Sequence, residues 1–300
     1  MTHDQFEQLS NWAVAGAGVF YFLALLSHLG AWASARTVEV AAATQEVLER
    51  PGTEVSPRRA KLTRYGLTFT AVAAAFHVVS VASRGLAADP VRVPWGNMYE
   101  FTLTATFVVT LGYLLLYKRY SLGWLSTFVT AFVFVVLMID VTVLYDPVNP
   151  LQDSLQSPWL VIHVISAIIA TGAFTLGGMT SVIYLVKERW PHIAAPDLPQ
   201  LDRFAYRTHA FAFPVWTFAA LVTGPIWAQA AWGRYWNWDP KEIWAFITWV
   251  VYAAYLHARA TAGWKGKAAA IIALVGLATL WFNFVGINFF FGSGSQHSYA

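Results

Sequence analysis

Three tryptophans and an acidic residue are crowded into a short polar segment between two apolar stretches. Trp232, Trp236 and Trp238 fall within seven residues, and Asp239 follows directly. An indole ring is mostly apolar but carries one N–H group, so tryptophan suits membrane–water interfaces. If the segment is helical, Trp232 and Trp236 share one face and offer a stacked platform for a flat conjugated ligand.

The end of this segment also has a purely structural interpretation. Asp239 suits the N-cap of a following helix, Pro240 its first position and Glu242 its third. Asp239 therefore either orients an indole or a substrate group, or only caps a helix. The sequence leaves both roles open.

Histidines are the other candidates for chemistry. His163 lies five residues after Pro158, which starts an apolar stretch, and His297 follows the last apolar stretch. Two imidazoles that flank an aromatic platform would suit the ligation of a haem iron from both sides. The alternative in each case is a histidine that only makes a structural hydrogen bond.

Composition places these residues in a membrane protein. The chain has 300 residues, of which 57% are hydrophobic and 12% are charged, whereas soluble domains carry about 25% charged residues. Several apolar runs reach the roughly 20 residues that span a bilayer. The absence of cysteine excludes a thiolate nucleophile and a disulfide. No phosphate-binding loop or dinucleotide fingerprint is present, and we expect no nucleic-acid partner.

We predict an all-α, polytopic helix bundle with eight membrane spans in a single domain, 1–300. Residues 1–62 form the first span and a loop, and residues 63–300 form the core. The predicted spans are Asn11–Ala33, Thr63–Ser83, Asn97–Tyr117, Leu122–Leu144, Pro158–Val186, Phe211–Ala231, Pro240–Ala258 and Ala268–Phe291.

The distribution of basic residues predicts the orientation. Of the 19 Lys and Arg residues, the first, third, fifth and seventh loops hold all except Arg84, Arg92, Arg234 and Lys241. Loops rich in Lys and Arg stay in the cytoplasm. Both termini and the tryptophan-rich segment are therefore expected on the extracytoplasmic side, where His163 and His297 are also expected.

The remaining histidines divide by depth. His257 lies near the cytoplasmic end of the seventh span, and His28 reaches a similar depth in the first. His28 could be a substitute metal ligand, but we favour a polar core contact, and we also interpret His77 as structural. The other three are placed in or near tails and loops as structural or solvated residues: His3, His192 and His209.

Several of these segments resemble motifs of one family. Residues 232–242 match the pattern W-G-x-x-W-x-W-D-P-K-E at every defined position, and residues 94–101, 157–164, 256–259 and 297–299 resemble its other motifs. The chain is thus similar to the CcsA/ResC-type cytochrome c biogenesis proteins of System II over roughly residues 77 to 299. It departs from the family at Ser295 and Gln296, where a Gly-Leu pair is usual, and at Ala300, where Gly is common.

The resemblance implies a cytochrome c synthase component that moves haem b across the membrane and presents it for thioether attachment to apocytochrome c. It implies that His163 and His297 are axial ligands of an outer haem and that His257 binds a second haem in transit. It further implies that the indoles pack on the porphyrin. The partners would be a second membrane subunit with a large extracytoplasmic domain and an apocytochrome with a C-x-x-C-H motif.

Two other functions remain open at this point. One is a haem-delivery protein that hands haem to a chaperone, and the other is a di-haem electron-transfer subunit that uses His257 and His28. In each case the chain would be an integral protein of the bacterial plasma membrane or of the thylakoid membrane, with its active face extracytoplasmic.

Overall fold

The computed structural model describes residues 1–44, 56–150 and 155–291, with the side chains of residues 35–44 excepted. The described chain is helical, with the bounds α1 His3–Thr44, α2 Pro57–Ala87, α3 Met98–Tyr117, α4 Ser126–Val143, α5 Pro158–Arg189, α6 Leu198–Thr217, α7 Gly224–Trp232, α8 Pro240–Thr261, α9 Lys267–Trp281 and α10 Ile287–Phe290. A 3-10 turn, Leu122–Leu125, precedes α4.

Two long helices are composites that are joined by a π-helical segment. Phe218–Thr223 connects α6 to α7, and Phe282–Gly286 connects α9 to α10. Within the described residues, seven helices are long and apolar enough to cross a membrane, and α8 adds an eighth long helix of 22 residues. All eight predicted spans coincide with helices, so the prediction of a polytopic helical membrane protein is confirmed.

Several helices extend beyond the predicted spans, because an apolar run marks only the part of a helix that lies in lipid. The clearest case is α6, which begins at Leu198 instead of Phe211. Its start is capped by Asp197, whose side chain accepts a hydrogen bond from the backbone N–H of Gln200 at 3.1 Å. The extra turns carry polar residues that hydropathy alone does not count.

Contacts between residues divide the chain into two compact units. The N-terminal unit consists of Met1–Trp95, Tyr99–Val148 and His192–Ala195, and the C-terminal unit consists of Gly96–Met98, Asn149–Pro191 and Pro196–Ala300. The single domain predicted from the sequence stays a prediction.

Two histidines are buried inside the N-terminal unit. His77 is fully buried, with Nδ1 3.1 Å from the Tyr21 hydroxyl and Nε2 2.9 Å from the carbonyl oxygen of Leu103. His28 is also buried and packs against Gly66, where even a Cβ atom would lie 2.5 Å from the imidazole. The structural interpretation of His77 is therefore supported by its hydrogen bonds. For His28, Nε2 has no hydrogen-bond partner among the described residues, so the polar core contact expected for it stays a prediction.

An aromatic cluster forms part of the core of the C-terminal unit. Phe174 stacks on Tyr252 with ring centroids 3.7 Å apart, and His209 lies against both rings. His209 is fully buried within α6 and donates from Nδ1 to the carbonyl oxygen of Ala205 at 2.6 Å. The placement of His209 in or near a loop was wrong, because α6 starts before the apolar run does.

Candidate functional site

His163 is positioned near the start of α5. Ser157 caps this helix by accepting a hydrogen bond from the backbone N–H of Trp159 at 3.3 Å, and Pro158 occupies the first helical position. Proline is pre-organised there and loses no hydrogen bond. His163 thus lies one and a half turns into a well-defined helix.

The π-helical segment before α7 determines how the imidazole is held. The backbone carbonyl of Ala219 lies 2.9 Å from Nδ1 of His163. Because a carbonyl oxygen can only accept, Nδ1 of His163 carries the proton, and in the neutral ring Nε2 carries the lone pair. This is the arrangement in which a histidine is oriented as an iron ligand through its other nitrogen.

Two indoles extend from this imidazole toward the tryptophan-rich segment. The ring of Trp227 is nearly parallel to that of His163, with centroids 6.1 Å apart and an angle of 14°. Trp232 packs edge-on against Trp227 at 4.7 Å. The first tryptophan of the motif is thereby connected to His163 through Trp227, which is 1% exposed.

The helical platform of Trp232 and Trp236 is not found. Helix α7 ends at Trp232, and Gly233 follows in the left-handed conformation with φ of 72°. Trp236 lies in the irregular segment between α7 and α8. Its ring contacts that of Trp238 with centroids 5.8 Å apart and an angle of 86° between the rings. That expectation was wrong because Gly233, which adopts positive φ without a steric cost, ends the helix.

Trp238 has a backbone conformation that is rare for a large side chain. Its φ is 57°, and its side chain is 65% exposed. The ring of Phe246 meets that of Trp238 edge-on, with centroids 6.5 Å apart. It also stacks on the ring of Trp249, with centroids 5.9 Å apart. An aromatic row therefore runs from the tryptophan-rich segment along α8.

The helix-capping role of Asp239 is confirmed. Its carboxylate accepts a hydrogen bond from the backbone N–H of Lys241 at 3.0 Å, and the Glu242 carboxylate accepts from the backbone N–H of Asp239 at 3.1 Å and of Asn237 at 2.8 Å. Lys241 has a further role that the motif did not indicate. Its Nζ donates to Oδ1 of Asn288 in α10 at 3.0 Å, so that it joins the start of α8 to the last described helix.

His257 lies on the exposed face of α8, near its C-terminus. Two residues further on, Arg259 makes two hydrogen bonds to the carboxylate of Asp202 in α6, at 2.6 and 3.0 Å. Asp202 also accepts from the backbone N–H of Gly266 at 2.9 Å. This contact fixes the end of α8 that carries His257.

The structure thus brings His163 and Trp232 together through Trp227, and pairs Trp236 with Trp238. His257 lies elsewhere on the C-terminal unit, and His297 lies outside the described residues. Sequence reasoning missed Trp227 and the carbonyl of Ala219. No spacing rule could have indicated them, because the π-helical segment changes which residues of this helix face α5.

Comparisons with known proteins agree with this picture. A family model described as cytochrome C assembly protein matches residues 95–293. The cytochrome c biogenesis protein CcsA of Guillardia theta is 33% identical over 233 residues, which cover 69% of this chain and 76% of that protein. The CcsA of Mesostigma viride is 30% identical over 247 residues, which cover 71% and 79% of the two chains.

Two further matches cover less of the matched protein. The CcsA of Chlamydomonas reinhardtii is 42% identical over 156 residues, but these span only 43% of that protein. The solved structure of the cytochrome c heme lyase CcmF superimposes on 96% of this chain with a TM-score of 0.65 and 17% identity, and 49% of that chain is covered. This last likeness establishes a shared fold. Taken with its motifs, the family match shows that this chain is a membrane protein of the cytochrome c assembly family and is related to the CcsA-type cytochrome c biogenesis proteins.

Proposed function

We propose that this chain receives haem b from the cytoplasmic side of the membrane and presents it on the extracytoplasmic side for covalent attachment to apocytochrome c. It would act as the CcsA-type component of a cytochrome c synthase, together with a second membrane subunit. The observation that carries the proposal is the placement of His163, which is held through Nδ1 and lies beside the indoles that lead to the tryptophan-rich segment.

The chemistry of attachment needs little from the protein beyond placement. Each thiol of a C-x-x-C-H motif adds its sulfur to one carbon of a haem vinyl group and its hydrogen to the other, so no atom is lost. The thiols come from the substrate, which accords with a chain that contains no cysteine. This chain would hold the iron, orient the ring and exclude water, which are the usual contributions of a protein to cofactor chemistry.

His163 and His297 are assigned as the axial ligands of the outer haem. For His163 the support is structural, because the bond to Ala219 leaves the lone pair on Nε2. For His297 the support is its His-Ser-Tyr motif in the sequence. A role for Asp239 beyond capping stays a prediction; its cap holds the junction between Trp238 and α8.

The conformation of Trp238 supports a role of the indole in ligand contact. A non-glycine residue at positive φ costs about 1–3 kcal/mol, and a large exposed side chain does not recover that energy by burial. Edge contacts with Trp236 and Phe246 offset part of this cost, while the residue stays 65% exposed. A flat ligand that stacks on the exposed ring would offset more of it, at about 1 kcal/mol for each aromatic contact.

The exposure of His257 favours a second ligand from outside this chain. An imidazole on the surface of a membrane helix is accessible to a partner helix, whereas His28 is enclosed against Gly66. The alternative of a di-haem electron-transfer subunit that uses His28 is correspondingly weakened. We therefore infer that a partner subunit completes the inner haem site at His257.

The proposal is tested by reconstituted thioether formation with purified chain, partner subunit, haem and an apocytochrome. We expect His163→Ala and His297→Ala to abolish covalent attachment while membrane insertion persists, and added imidazole to restore part of the activity by filling the vacant ligand position. His192→Ala, a change of an exposed histidine, is the control. Normal attachment by both ligand variants would overturn the assignment, and haem transfer without any thioether product would indicate a delivery protein.

The inner site is tested by haem spectra of the complex and of the isolated chain. His257→Ala should lower the haem content of the complex, and His28→Ala should leave the spectrum unchanged. A bis-histidine haem in the isolated chain that persists in His163→Ala and is lost in His28→Ala would show that His28, and not a partner, is the ligand.

A further inference from the structure

The aromatic row that begins at Trp238 reaches the middle of α8. The ring of Phe246 meets that of Trp238 edge-on, and it is nearly parallel to that of Trp249, with an angle of 12° between the planes. Trp249 also stacks on Phe213 of α6, with centroids 5.7 Å apart. Ring contacts therefore connect the tryptophan-rich segment with a tryptophan far inside the helix that follows it.

The depth of Trp249 is unusual for a tryptophan in a membrane helix. Trp249 is the tenth of the 22 residues of α8, so it lies roughly 14 Å from the start of the helix. Tryptophan is enriched at the two membrane–water interfaces, and mid-depth is far from both. The indole N–H of Trp249 donates to Oγ1 of Thr217 at 2.9 Å. This bond satisfies the polar atom and fixes the orientation of the ring.

The exposed face of α8 continues from this row to the proposed inner ligand. Four exposed residues at spacings of four, four and three lie on one side of the helix: Phe246, Val250, Ala254 and His257. Trp249, which is partly buried, contacts Phe246 on this side. The sequence of α8 contains no charged residue between Glu242 and Arg259. The surface between His257 and the aromatic row is therefore uncharged.

The distance from His257 to the tryptophan-rich segment calls for an intermediate contact. His257 is 17 residues after Pro240, which corresponds to roughly 26 Å along the helix axis. Trp249 is eight residues from His257, or about 12 Å, and thus lies close to halfway.

Lipid alone does not account for the side chains at this depth. An exposed valine such as Val250 needs no explanation beyond contact with lipid, because lipid tails are as apolar as its side chain. Two nearly parallel aromatic rings at mid-depth, one of them a hydrogen-bonded indole, are different. Their geometry favours a flat conjugated ligand that stacks on them.

We propose that Phe246 and Trp249 form an intermediate haem-binding station on the exposed face of α8, between His257 and Trp238. This inference rests on the proposed function, since it takes haem as the ligand that moves between the two ends of α8. Haem binds at the station by stacking on the two rings. Stacking is weaker than axial ligation of the iron, so haem passes on toward Trp238 instead of being retained.

Cysteine capture tests the station directly, because the chain has no cysteine of its own. Val250→Cys introduces one thiol on the exposed face beside Phe246. The thiol sulfur adds to one carbon of a haem vinyl group and its hydrogen to the other, so the adduct forms without an oxidant. We expect covalent haem on the denatured chain, detected by its peroxidase activity in a gel and located by mass spectrometry, when the complex with the partner subunit is isolated from haem-supplied membranes.

Two further variants separate the station from the proposed function. Val275→Cys is the matched control, because Val275 is 50% exposed in the middle of α9 and Val250 is 44% exposed in the middle of α8. Trp238→Cys, in the tryptophan-rich segment, should also capture haem. Capture by Trp238→Cys but not by Val250→Cys, or equal capture by Val250→Cys and Val275→Cys, would overturn the station. Capture by none of the three, in a complex that holds no haem, would refute the proposed function itself.

A second measurement follows haem beyond the station. Phe246→Ala should lower thioether yield and outer-haem content severalfold, while the haem content at His257, measured in a His163→Ala background, is retained. Phe211→Ala, a change of another exposed phenylalanine on α6, should alter neither. Equal thioether yields in Phe246→Ala and Phe211→Ala would show that haem does not stop at Phe246.

Discussion

At the residue scale, the orientation of His163 depends on the close approach of the Gly224 backbone to the His163 imidazole. A Cβ atom added to Gly224 would lie 3.2 Å from two atoms of the His163 imidazole and 3.1 Å from the carbonyl oxygen of Ala219. At such distances a neighbour must shift by a few tenths of an ångström, and the imidazole side chain yields more easily than the backbone. The glycine at this position therefore serves the geometry of the proposed iron ligand.

We expect Gly224→Ala to lower outer-haem content and thioether yield severalfold while the chain still inserts and folds. Displacement of the ring alters its hydrogen bond to Ala219 and with it the direction of the Nε2 lone pair. The measurement is the haem spectrum and content of the purified complex. Gly112→Ala is the matched control, because it is also a helical glycine but a Cβ there meets no atom within 4 Å. Equal haem content in the two variants would contradict the proposed role of His163.

Trp238 allows stability to be separated from function. Replacement by glycine relieves a positive-φ strain of about 1–3 kcal/mol, but it removes the edge contacts with Trp236 and Phe246, at about 1 kcal/mol each. Because these effects offset each other, we expect Trp238→Gly to leave the thermal stability of the haem-free chain nearly unchanged but to weaken haem retention. Trp190→Ala, a change of another exposed tryptophan, should leave retention unchanged. A Trp238→Gly variant that is markedly less stable would show that the indole has a structural role instead.

At the scale of the elements, the contact between Arg259 and Asp202 holds the end of α8 against α6 and against the segment that leads to α9. The two side chains are only 7% and 15% exposed, so their hydrogen bonds are partly shielded from water. Asn at position 202 retains one acceptor but loses the charge. We expect Asp202→Asn to lower the free energy of unfolding by about 2 kcal/mol.

Thermal denaturation in detergent measures this effect, with Arg203→Gln as an exposed control on the same helix. The same variant should also reduce the haem content associated with His257 in the complex, since His257 is two residues from Arg259. Loss of stability with a normal inner haem would show that the contact is structural only.

At the scale of the whole molecule, the absence of cysteine permits a direct test of orientation. Asn237→Cys places a single thiol in the tryptophan-rich segment, and Ala262→Cys places one beyond α8; both positions are exposed. The basic-residue asymmetry predicts that a membrane-impermeant maleimide labels Cys at 237 in intact cells and labels Cys at 262 only after lysis. The reverse pattern would place the tryptophan-rich segment in the cytoplasm and remove the basis for an extracytoplasmic site.

Interactions between residues close together in the sequence made the spans, the start of α8 and the family predictable. The spans could be located because a run of about 20 apolar residues cannot be stable in water and must form a helix in lipid. The start of α8 was predictable because Asp239, Pro240 and Glu242 satisfy one another within a single turn. The family could be inferred because the tryptophan-rich motif is a continuous stretch of sequence.

Only the tertiary structure decided which residues that are far apart in the chain contact each other. The bond from His163 to Ala219 joins positions 56 residues apart and depends on a π-helical segment that no helical periodicity encodes. The burial of His209 follows from the packing of α5, α6 and α8 around an aromatic cluster. The ion pairs of Arg84 join side chains of α1, α2 and α3. Hydropathy and capping act over a few residues, so they predict where a helix lies, but the identity of its neighbours is a property of the packed bundle.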